Sequence, residues 1–108
     1  MLVLTLYPGQ FVDVINKRSG HRATITMLGK RPEAAHRLLI ETEKDLYCTQ
    51  PDQIFTANEG ATFFLKHENG DRLRVVTTGA APGMLRMGFD DQRHLFTVIR
   101  GNAKKRVA

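Results

Sequence analysis

The two halves of this chain carry the same order of short apolar runs, polar turns and glycines, and this internal repeat limits the folds available to it. Matched positions lie 51 residues apart near the N-terminus, where Thr5 falls on Thr56, and 49 residues apart at Arg37 and Arg86. Because the offset changes only at polar loops, where a change in length costs little, the pattern predicts an internal duplication. The other matched pairs are Gly9 and Gly60, Gly29 and Gly79, Leu46 and Leu95, and Tyr47 and Phe96.

Each half is predicted to form five β-strands. Apolar and polar side chains alternate with a period of two, as in Ala23–Leu28, and the runs end at glycine, proline or charged turns. Residues 32–44 open with helix-favouring residues, but no amphipathic stripe follows, so we predict a strand there. Loops are predicted at Lys30–Ala35 and at Gly79–Gly83. The predicted strands are residues 2–5, 11–15, 23–28, 37–42, 46–49, 54–56, 62–65, 73–78, 84–89 and 95–99.

The composition is typical of one globular domain. A chain of 108 residues is large enough for one core, and 42% hydrophobic with 25% charged residues is ordinary for a soluble protein. No apolar run is long enough to span a bilayer, and the N-terminus lacks the basic region and cleavage site of a secretory signal. The single Cys48 excludes an internal disulfide and fits a reducing compartment, so we expect a cytoplasmic location. Residues 101–108 have little to bury and are expected to form a mobile basic tail.

The charge balance favours an anionic partner. The formal net charge is +5 and the sequence pI is about 9.8, so nucleic acid is the commonest candidate, although many basic proteins bind none. Charge runs in loops and tails are usually only solvated, so contact between these runs and phosphate is the less favoured interpretation. The runs are Lys17-Arg18, His21-Arg22, Lys30-Arg31 and Lys104-Lys105-Arg106.

No catalytic or metal-binding motif emerges from the sequence. The four histidines are dispersed, with His36 placed to face His94 or neither, and there is no HExxH motif or Cys/His cluster. Cys48 lies on a predicted strand and is interpreted as a small apolar residue rather than a nucleophile. The stretch Gly79–Gly83 lacks the Lys-Ser/Thr of a phosphate loop. We therefore predict that the protein is not an enzyme and has no metal or cofactor.

Several of these segments resemble the CsrA/RsmA carbon storage regulators. The opening Met-Leu-Val-Leu-Thr, followed by Pro8-Gly9, closely resembles the start of that family. Leu73–Gly79 and Gly83–Asp90 are similar to its third and fourth strands. The first half carries a looser version in Arg22–Gly29 and His36–Glu41. The resemblance covers the chain to about Arg100, but in two copies.

The resemblance implies a particular architecture, because members of the family are interlocked homodimers of five-stranded subunits. The chain would then be a monomeric pseudo-dimer with barrel-like or sandwich-like sheets, in which residues 1–50 and 52–100 are the two repeats. In the expected arrangement the first strand of each copy pairs with the fifth strand of the other. Leu2–Leu6 would then pair with Leu95–Ile99, and a hairpin turn at Gln50–Gln53 would join the repeats, with Pro51 at its second position.

The family's function implies a translational regulator that binds GGA-containing loops of mRNA or a small regulatory RNA, at two sites where first and fifth strands meet. The arginines that the family carries at its strand ends are replaced here by Leu6-Tyr7 and Ala57-Asn58, and Arg100 lies one residue beyond the family position, so we expect altered sequence preference. We name the two sites the N-terminal edge and the central edge, and we expect the first to dominate. The N-terminal edge comprises Leu4, Thr5, Leu6, Tyr7, Val98, Ile99 and Arg100, with Arg86 and Arg93 nearby. The central edge comprises Thr49, Gln50, Thr56, Ala57 and Asn58, with Arg37 and Lys44 nearby.

Two alternatives to RNA binding stay open. The chain is also interpretable as a family member that binds a protein partner instead of RNA, because the usual strand-end arginines are missing. The weaker alternative is a structural β-module. Net basicity favours RNA over both of them.

Overall fold

Ten β-strands build the protein in the computed structural model, which describes residues 1–28 and 36–102. These two stretches contain no helix, and hence none long and apolar enough to cross a membrane. The predicted all-β fold is confirmed, and each predicted strand overlaps an observed one. The strands are β1 (Leu2–Leu6), β2 (Gln10–Asn16), β3 (Arg22–Met27), β4 (His36–Thr42), β5 (Leu46–Cys48), β6 (Ile54–Ala57), β7 (Thr62–His67), β8 (Arg72–Ala81), β9 (Met84–Asp90) and β10 (Phe96–Asn102).

The strands form two five-stranded antiparallel sheets that exchange their edges. The first sheet has the order β1-β9-β8-β7-β5, and the second has the order β10-β2-β3-β4-β6. Replacing each strand of the first sheet by the strand five places along the chain reproduces the second sheet. Each sheet therefore takes three adjacent strands from one half of the chain and its two edge strands from the other half.

The register of the edge strands follows the same relation. Thr5 on β1 lies opposite Arg86 on β9, and Thr56 on β6 lies opposite Arg37 on β4. These are the residues that the sequence repeat pairs at offsets of 51 and 49. The matched positions therefore occupy equivalent places in the two sheets.

The strand pairing expected at the chain ends and at the central turn is wrong. β1 pairs with β9 and β10 pairs with β2, so the first and last strands are edges of different sheets. β5 pairs with β7 and β6 pairs with β4, so residues 49–53 are a crossing between sheets and not a hairpin turn. The backbone hydrogen bonds give the reason. The Thr49 N–H donates to the Phe64 carbonyl in the first sheet, while the Ile40 N–H donates to the Gln53 carbonyl in the second.

Two predicted boundaries also need correction. β8 does not end at Thr78 but continues to Ala81, because a β-bulge between Thr77 and Gly79 absorbs the irregularity without breaking the ladder. The connection to β9 is then tight, and Gly83 provides its positive φ of 73°. β10 runs to Asn102, so residues 101 and 102 belong to a strand and not to the predicted tail. The rest of that tail and the predicted loop at 30–35 lie outside the described residues.

The core lies between the two sheets. On every long strand alternate side chains point inward, and because the two inner faces meet, these side chains are removed from water. Full burial of an aliphatic or aromatic side chain contributes roughly 1.5–3 kcal/mol, so this layer supplies most of the driving force for folding. The largest fully buried side chains are Leu6, Val12, Val14, Ile25, Met27, Leu38, Leu46, Leu65, Leu73, Leu85, Met87 and Phe89.

A buried polar network ties the two sheets together at one end. It joins the β2–β3 turn of the second sheet to the β7–β8 turn of the first. The Asn16 amide donates to Asp71 Oδ2 over 3.0 Å, the Asn69 amide donates to Asn16 Oδ1 over 3.1 Å, and the Arg18 guanidinium donates to both oxygens of Asp71. Asn16 and Asp71 are almost completely buried. The hydrogen bonds from Arg18 hold the pKa of Asp71 at about 2, below its ordinary 3.8, against the opposing effect of burial.

Candidate nucleic-acid interface

The strands of the predicted N-terminal edge, β1 and β10, are edges of different sheets and meet at a junction between them. β1 and β10 are not hydrogen-bonded as a ladder, yet Arg100 Nη1 on β10 donates to the Thr5 carbonyl on β1 over 3.1 Å. Arg100 shares its face of β10 with Phe96, which is buried in the core, but Arg100 itself is exposed. The structure therefore brings Thr5 and Arg100 together.

The remaining predicted residues of this edge divide by exposure. Tyr7 and Ile99 are about half exposed, at 51% and 49%, and Arg86 and Arg93 are also exposed. Leu4, Thr5 and Val98 are partly buried. Leu6 is fully buried, so its side chain is part of the core and cannot touch a ligand.

The central edge is poorer in accessible cations. Arg37 is partly buried, and its Nε is buried without a hydrogen-bond partner among the described residues. Lys44 is exposed, but it lies in the β4–β5 turn with a φ of 37°. Beside this edge lies a cleft of about 500 Å³, whose described lining includes the carboxylates of Glu41 and Asp52 and no cation. Its charge therefore disfavours phosphate.

Several residues of the predicted central edge are buried or already hydrogen-bonded within the protein. The Thr49 hydroxyl accepts a hydrogen bond from the Phe64 N–H over 2.9 Å. Gln50 is partly buried and its N–H faces the Cys48 sulfur at 3.4 Å. Ala57 is fully buried, whereas Thr56 and Asn58 are exposed. Only part of the predicted central edge is therefore available to a ligand.

The strongest concentration of accessible cations among the described residues lies on and beside the outer face of the first sheet, where only Arg86 and Arg93 were predicted to contribute. Because Phe63, Leu65, Leu73 and Val75 point into the core, the alternate residues of β7 and β8 point outward. We call this surface the basic face. It consists of Phe64, Lys66, Arg72, Arg74 and Arg86, with Arg93 in the β9–β10 turn beside it.

Cross-strand pairing packs these side chains against one another. Phe64 lies opposite Arg74, and Lys66 lies opposite Arg72. The Lys66 ammonium and the Arg72 guanidinium lie 5.9 Å and 5.8 Å from the centre of the Phe64 ring. An open groove of about 400 Å³ runs over this ring, and its lining includes Arg72, Arg74 and Arg93. The face thus combines an aromatic ring with several cations.

The side chains that the structure describes on the equivalent face of the second sheet differ in charge. Asp13 and Thr24 occupy the positions that correspond to Phe64 and Arg74, and the Thr24 hydroxyl donates to the Asp13 carboxylate over 2.6 Å. Arg22, at the position of Arg72, lies 3.5 Å from the same carboxylate. The two sheets therefore share a topology but differ in outer charge.

The sequence contained a signal for the basic face. Phe64 and Lys66 are two residues apart, as are Arg72 and Arg74, and both pairs flank the turn between β7 and β8. A period of two on neighbouring strands places all four on one face. That pattern is short, and only Arg74 lies in a segment that carries the family resemblance, so our sequence reasoning missed it.

A cluster of two histidines and a carboxylate was also not predicted. Ligand atoms of His21, His67 and Asp45 all lie within 4.8 Å of one another. The Asn69 N–H donates to His67 Nδ1, so the neutral ring carries its hydrogen on Nε2, which faces His21 Nδ1 at 2.8 Å. A metal ligand needs a lone pair on that Nε2 atom. The hydrogen bonds therefore fit a structural contact between the two turns better than a metal centre.

The other residues considered for catalysis are placed as follows. Cys48 is partly buried against the core, and this burial raises the pKa of its thiol, which disfavours the nucleophilic thiolate. His36 faces the Ala81 carbonyl at 2.7 Å and not His94, which is exposed in the β9–β10 turn.

Comparison with known proteins does not assign the chain to a family. No family model matches it, and no significant match occurs among curated proteins or solved structures.

Proposed function

We propose that this chain is a non-enzymatic, RNA-binding regulator of translation of the CsrA type, built from two repeats fused into one pseudo-dimer. The exchange of edge strands between the sheets supports the fused arrangement, because each half completes the sheet of the other. The equivalent pairs Thr5–Arg86 and Thr56–Arg37 support the duplication.

The observation that carries RNA binding is the junction of the first and last strands. There Arg100 reaches the Thr5 backbone, and Arg86 lies opposite Thr5 on the neighbouring strand. Tyr7 follows β1 directly and is exposed. Exposed arginines and an exposed aromatic are the groups that hold phosphates and unstacked bases of single-stranded RNA.

The test is a binding titration of the whole chain with three labelled probes. These are an RNA hairpin with GGA in its loop, a scrambled single-stranded RNA and a single-stranded DNA of equal length, each at several salt concentrations. Tighter binding of the GGA hairpin supports a CsrA-type regulator. Equal binding of all probes with a steep salt dependence supports phosphate binding without sequence readout. The absence of RNA binding at moderate salt contradicts the proposal.

A protein partner is the second candidate, and one observation favours it. Ile54 and Ile99 are each 49% exposed on the outer face of the second sheet, where the charges of Asp13 and Arg22 offset one another. Exposed apolar side chains on a neutral face suit a protein surface better than phosphate. Failure of all three nucleic-acid probes would favour this candidate.

A further inference from the structure

We propose that the basic face is the principal contact for single-stranded RNA, so that one molecule holds one RNA segment across its first sheet and not two segments at equivalent edges. This inference rests on the proposed function and specifies where the RNA lies. It departs from the two-edge arrangement, because the residues that the structure describes on the outer face of the second sheet do not form a comparable basic surface.

Charge is the first support. Among the described residues, the strands of the first sheet present four outward cations, Lys66, Arg72, Arg74 and Arg86, and one outward carboxylate, Asp90. On the outer face, the described strands of the second sheet present Arg22 and Arg37 against Asp13 and Glu41, which cancel. The exposed Arg100 of β10 lies on the core-facing side of that strand, opposite the buried Val12. A polyanion is therefore attracted to one face of the sandwich.

Two carboxylates, Asp90 and Asp91, line the groove together with Arg72, Arg74 and Arg93, so its cations outnumber its carboxylates. The Arg74–Asp90 pair is 3.6 Å long and both side chains are solvent-accessible, so its attraction is weak and a phosphate can compete for Arg74. The Asp91 carboxylate is occupied by the N–H groups of Leu95 and Phe96, at 2.9 Å and 2.8 Å. Both of its oxygens therefore accept hydrogen bonds from the backbone of the turn.

The aromatic ring is the second support. Phe64 is partly exposed and has Lys66 and Arg72 over it. A phenyl ring flanked by cations is a stacking platform for an unpaired base. The base takes the place of one cation on the ring, and that cation moves to the adjoining phosphate. The fully paired bases of a duplex have no free face to offer, so this geometry selects single strands.

The face also continues into the N-terminal edge. Arg86 lies on β9 between β8 and β1, opposite Thr5, whose carbonyl accepts the hydrogen bond from Arg100. Adjacent strands are roughly 4.8 Å apart, so β7 to β1 spans about 14 Å, a distance of a few nucleotides. One RNA segment can therefore cross from Phe64 to Arg100, and the two surfaces act as one site.

The experiment measures the affinity of the full chain for a labelled single-stranded RNA of about twelve nucleotides, by fluorescence anisotropy at three salt concentrations. The double variant Arg72→Ala/Arg74→Ala removes two phosphate contacts, and we expect at least a tenfold loss of affinity. The slope of log affinity against log salt should also fall by about 1.4, or 0.7 per contact. Phe64→Leu keeps the apolar contact and removes the ring. Phe64→Leu should lower the RNA affinity roughly 5- to 150-fold, which is the range for the loss of one stacked base, and should change the salt slope little.

The matched control is Arg22→Ala, at the equivalent position on the second sheet, which should leave affinity within twofold. Phe64→Tyr should retain binding, and thermal unfolding of every variant checks that the fold is intact. If Phe64→Leu fails to fold, the double arginine variant and its salt slope decide the outcome. The stoichiometry should be one RNA per chain.

Three results would overturn the inference while leaving the proposed function standing. They are RNA binding that survives the double variant, an equal loss in Arg22→Ala, and two RNA molecules per chain. If the double variant loses RNA affinity and Phe64→Leu does not, the basic face is a general polyanion-binding surface. That result also contradicts the inference, because it shows that no base stacks on Phe64. Absence of RNA binding in the unmodified protein would instead remove the proposed function itself.

Discussion

At the scale of residues, two equivalent frameworks carry different side chains. The buried positions are apolar in both sheets, whereas the outer positions diverge, with Phe64 and Arg74 on one sheet against Asp13 and Thr24 on the other. Exposed positions accept such changes because they alter little packing. Charge could therefore become concentrated on one sheet without affecting the core.

Asp71 provides a test of the buried polar network. Because its folded pKa of about 2 lies below its ordinary value of 3.8, its stabilising contribution is complete above about pH 4 and is lost as the pH falls toward 2. We expect Asp71→Asn to lower the free energy of unfolding at pH 7 by about 1 kcal/mol, a value discounted because Arg18 is largely exposed. Urea unfolding at pH 7, 4 and 2 measures this, and the difference from the parent should be far smaller at pH 2, where about half of the Asp71 carboxyl groups are protonated. Asp52→Asn, in the exposed crossing, is the control. A difference that is undiminished at pH 2 would show that the pair with Arg18 is not its cause.

Arg100 tests the asymmetry between the two edges. We expect Arg100→Ala to weaken RNA binding by roughly 1–3 kcal/mol if the guanidinium reads a base, and by less, with a salt slope reduced by about one, if it touches phosphate. Gln50→Ala at the central edge should matter less, because Gln50 is partly buried beside an acidic cleft. Both affinities are measured by anisotropy at two salt concentrations. Equal losses in the two variants would contradict the asymmetry.

At the scale of elements, the short edge strands hold the two sheets in one molecule. β5 and β6 are three and four residues long and are joined by five residues, yet they lie in different sheets. A hairpin would have left both in one sheet and deprived the other of an edge. The crossing instead lets Leu46 and Ala57 fill the core from opposite sides.

The crossing should tolerate a longer connection. Insertion of a six-residue Gly/Ser segment between Pro51 and Asp52 roughly doubles its length, and we expect a loss of about 1 kcal/mol or less in the free energy of unfolding. Both residues are exposed, so no packing is removed. Urea denaturation of the parent and the variant measures the loss. Complete unfolding of the variant would show that this segment must stay short to keep the sheets in register.

At the scale of the whole molecule, the exchange of edges makes the two halves depend on each other. Neither half can form a five-stranded sheet alone, because the edge strands of each sheet come from the other half. The covalent connection keeps the halves at an effective concentration of roughly millimolar, so no encounter between chains is required.

The chain should therefore be a monomer in solution. Light scattering after size-exclusion chromatography at micromolar concentration is expected to give a mass near 12.2 kDa, because the contacts that would join two subunits lie within one chain. A mass of about twice that value at the lowest measurable concentration would show that the exchange occurs between chains.

The sequence by itself determined the strands and their repetition. Short apolar runs bounded by polar turns located all ten, and Ala23–Leu28 also alternates with the period of two that a sheet with one buried face demands. The sequence also brought Thr5 and Arg100 into one predicted site through the resemblance. The sequence predicted the end of β8 too early, because Gly79 is typical of a strand end. In the structure a β-bulge between Thr77 and Gly79 keeps the hydrogen-bonded ladder intact.

Only the tertiary structure decided which strands are neighbours. Backbone hydrogen bonds do not depend on which side chains the paired residues carry. The sequence therefore allowed β5 and β6 equally to form a hairpin or to complete opposite sheets. The structure has them in opposite sheets, because each sheet needs an edge strand. The basic face is decided at the same level. Its cations come from both sides of the β7–β8 turn and from β9, and they form one surface because pairing of those strands sets Phe64 beside Arg74 and Lys66 beside Arg72.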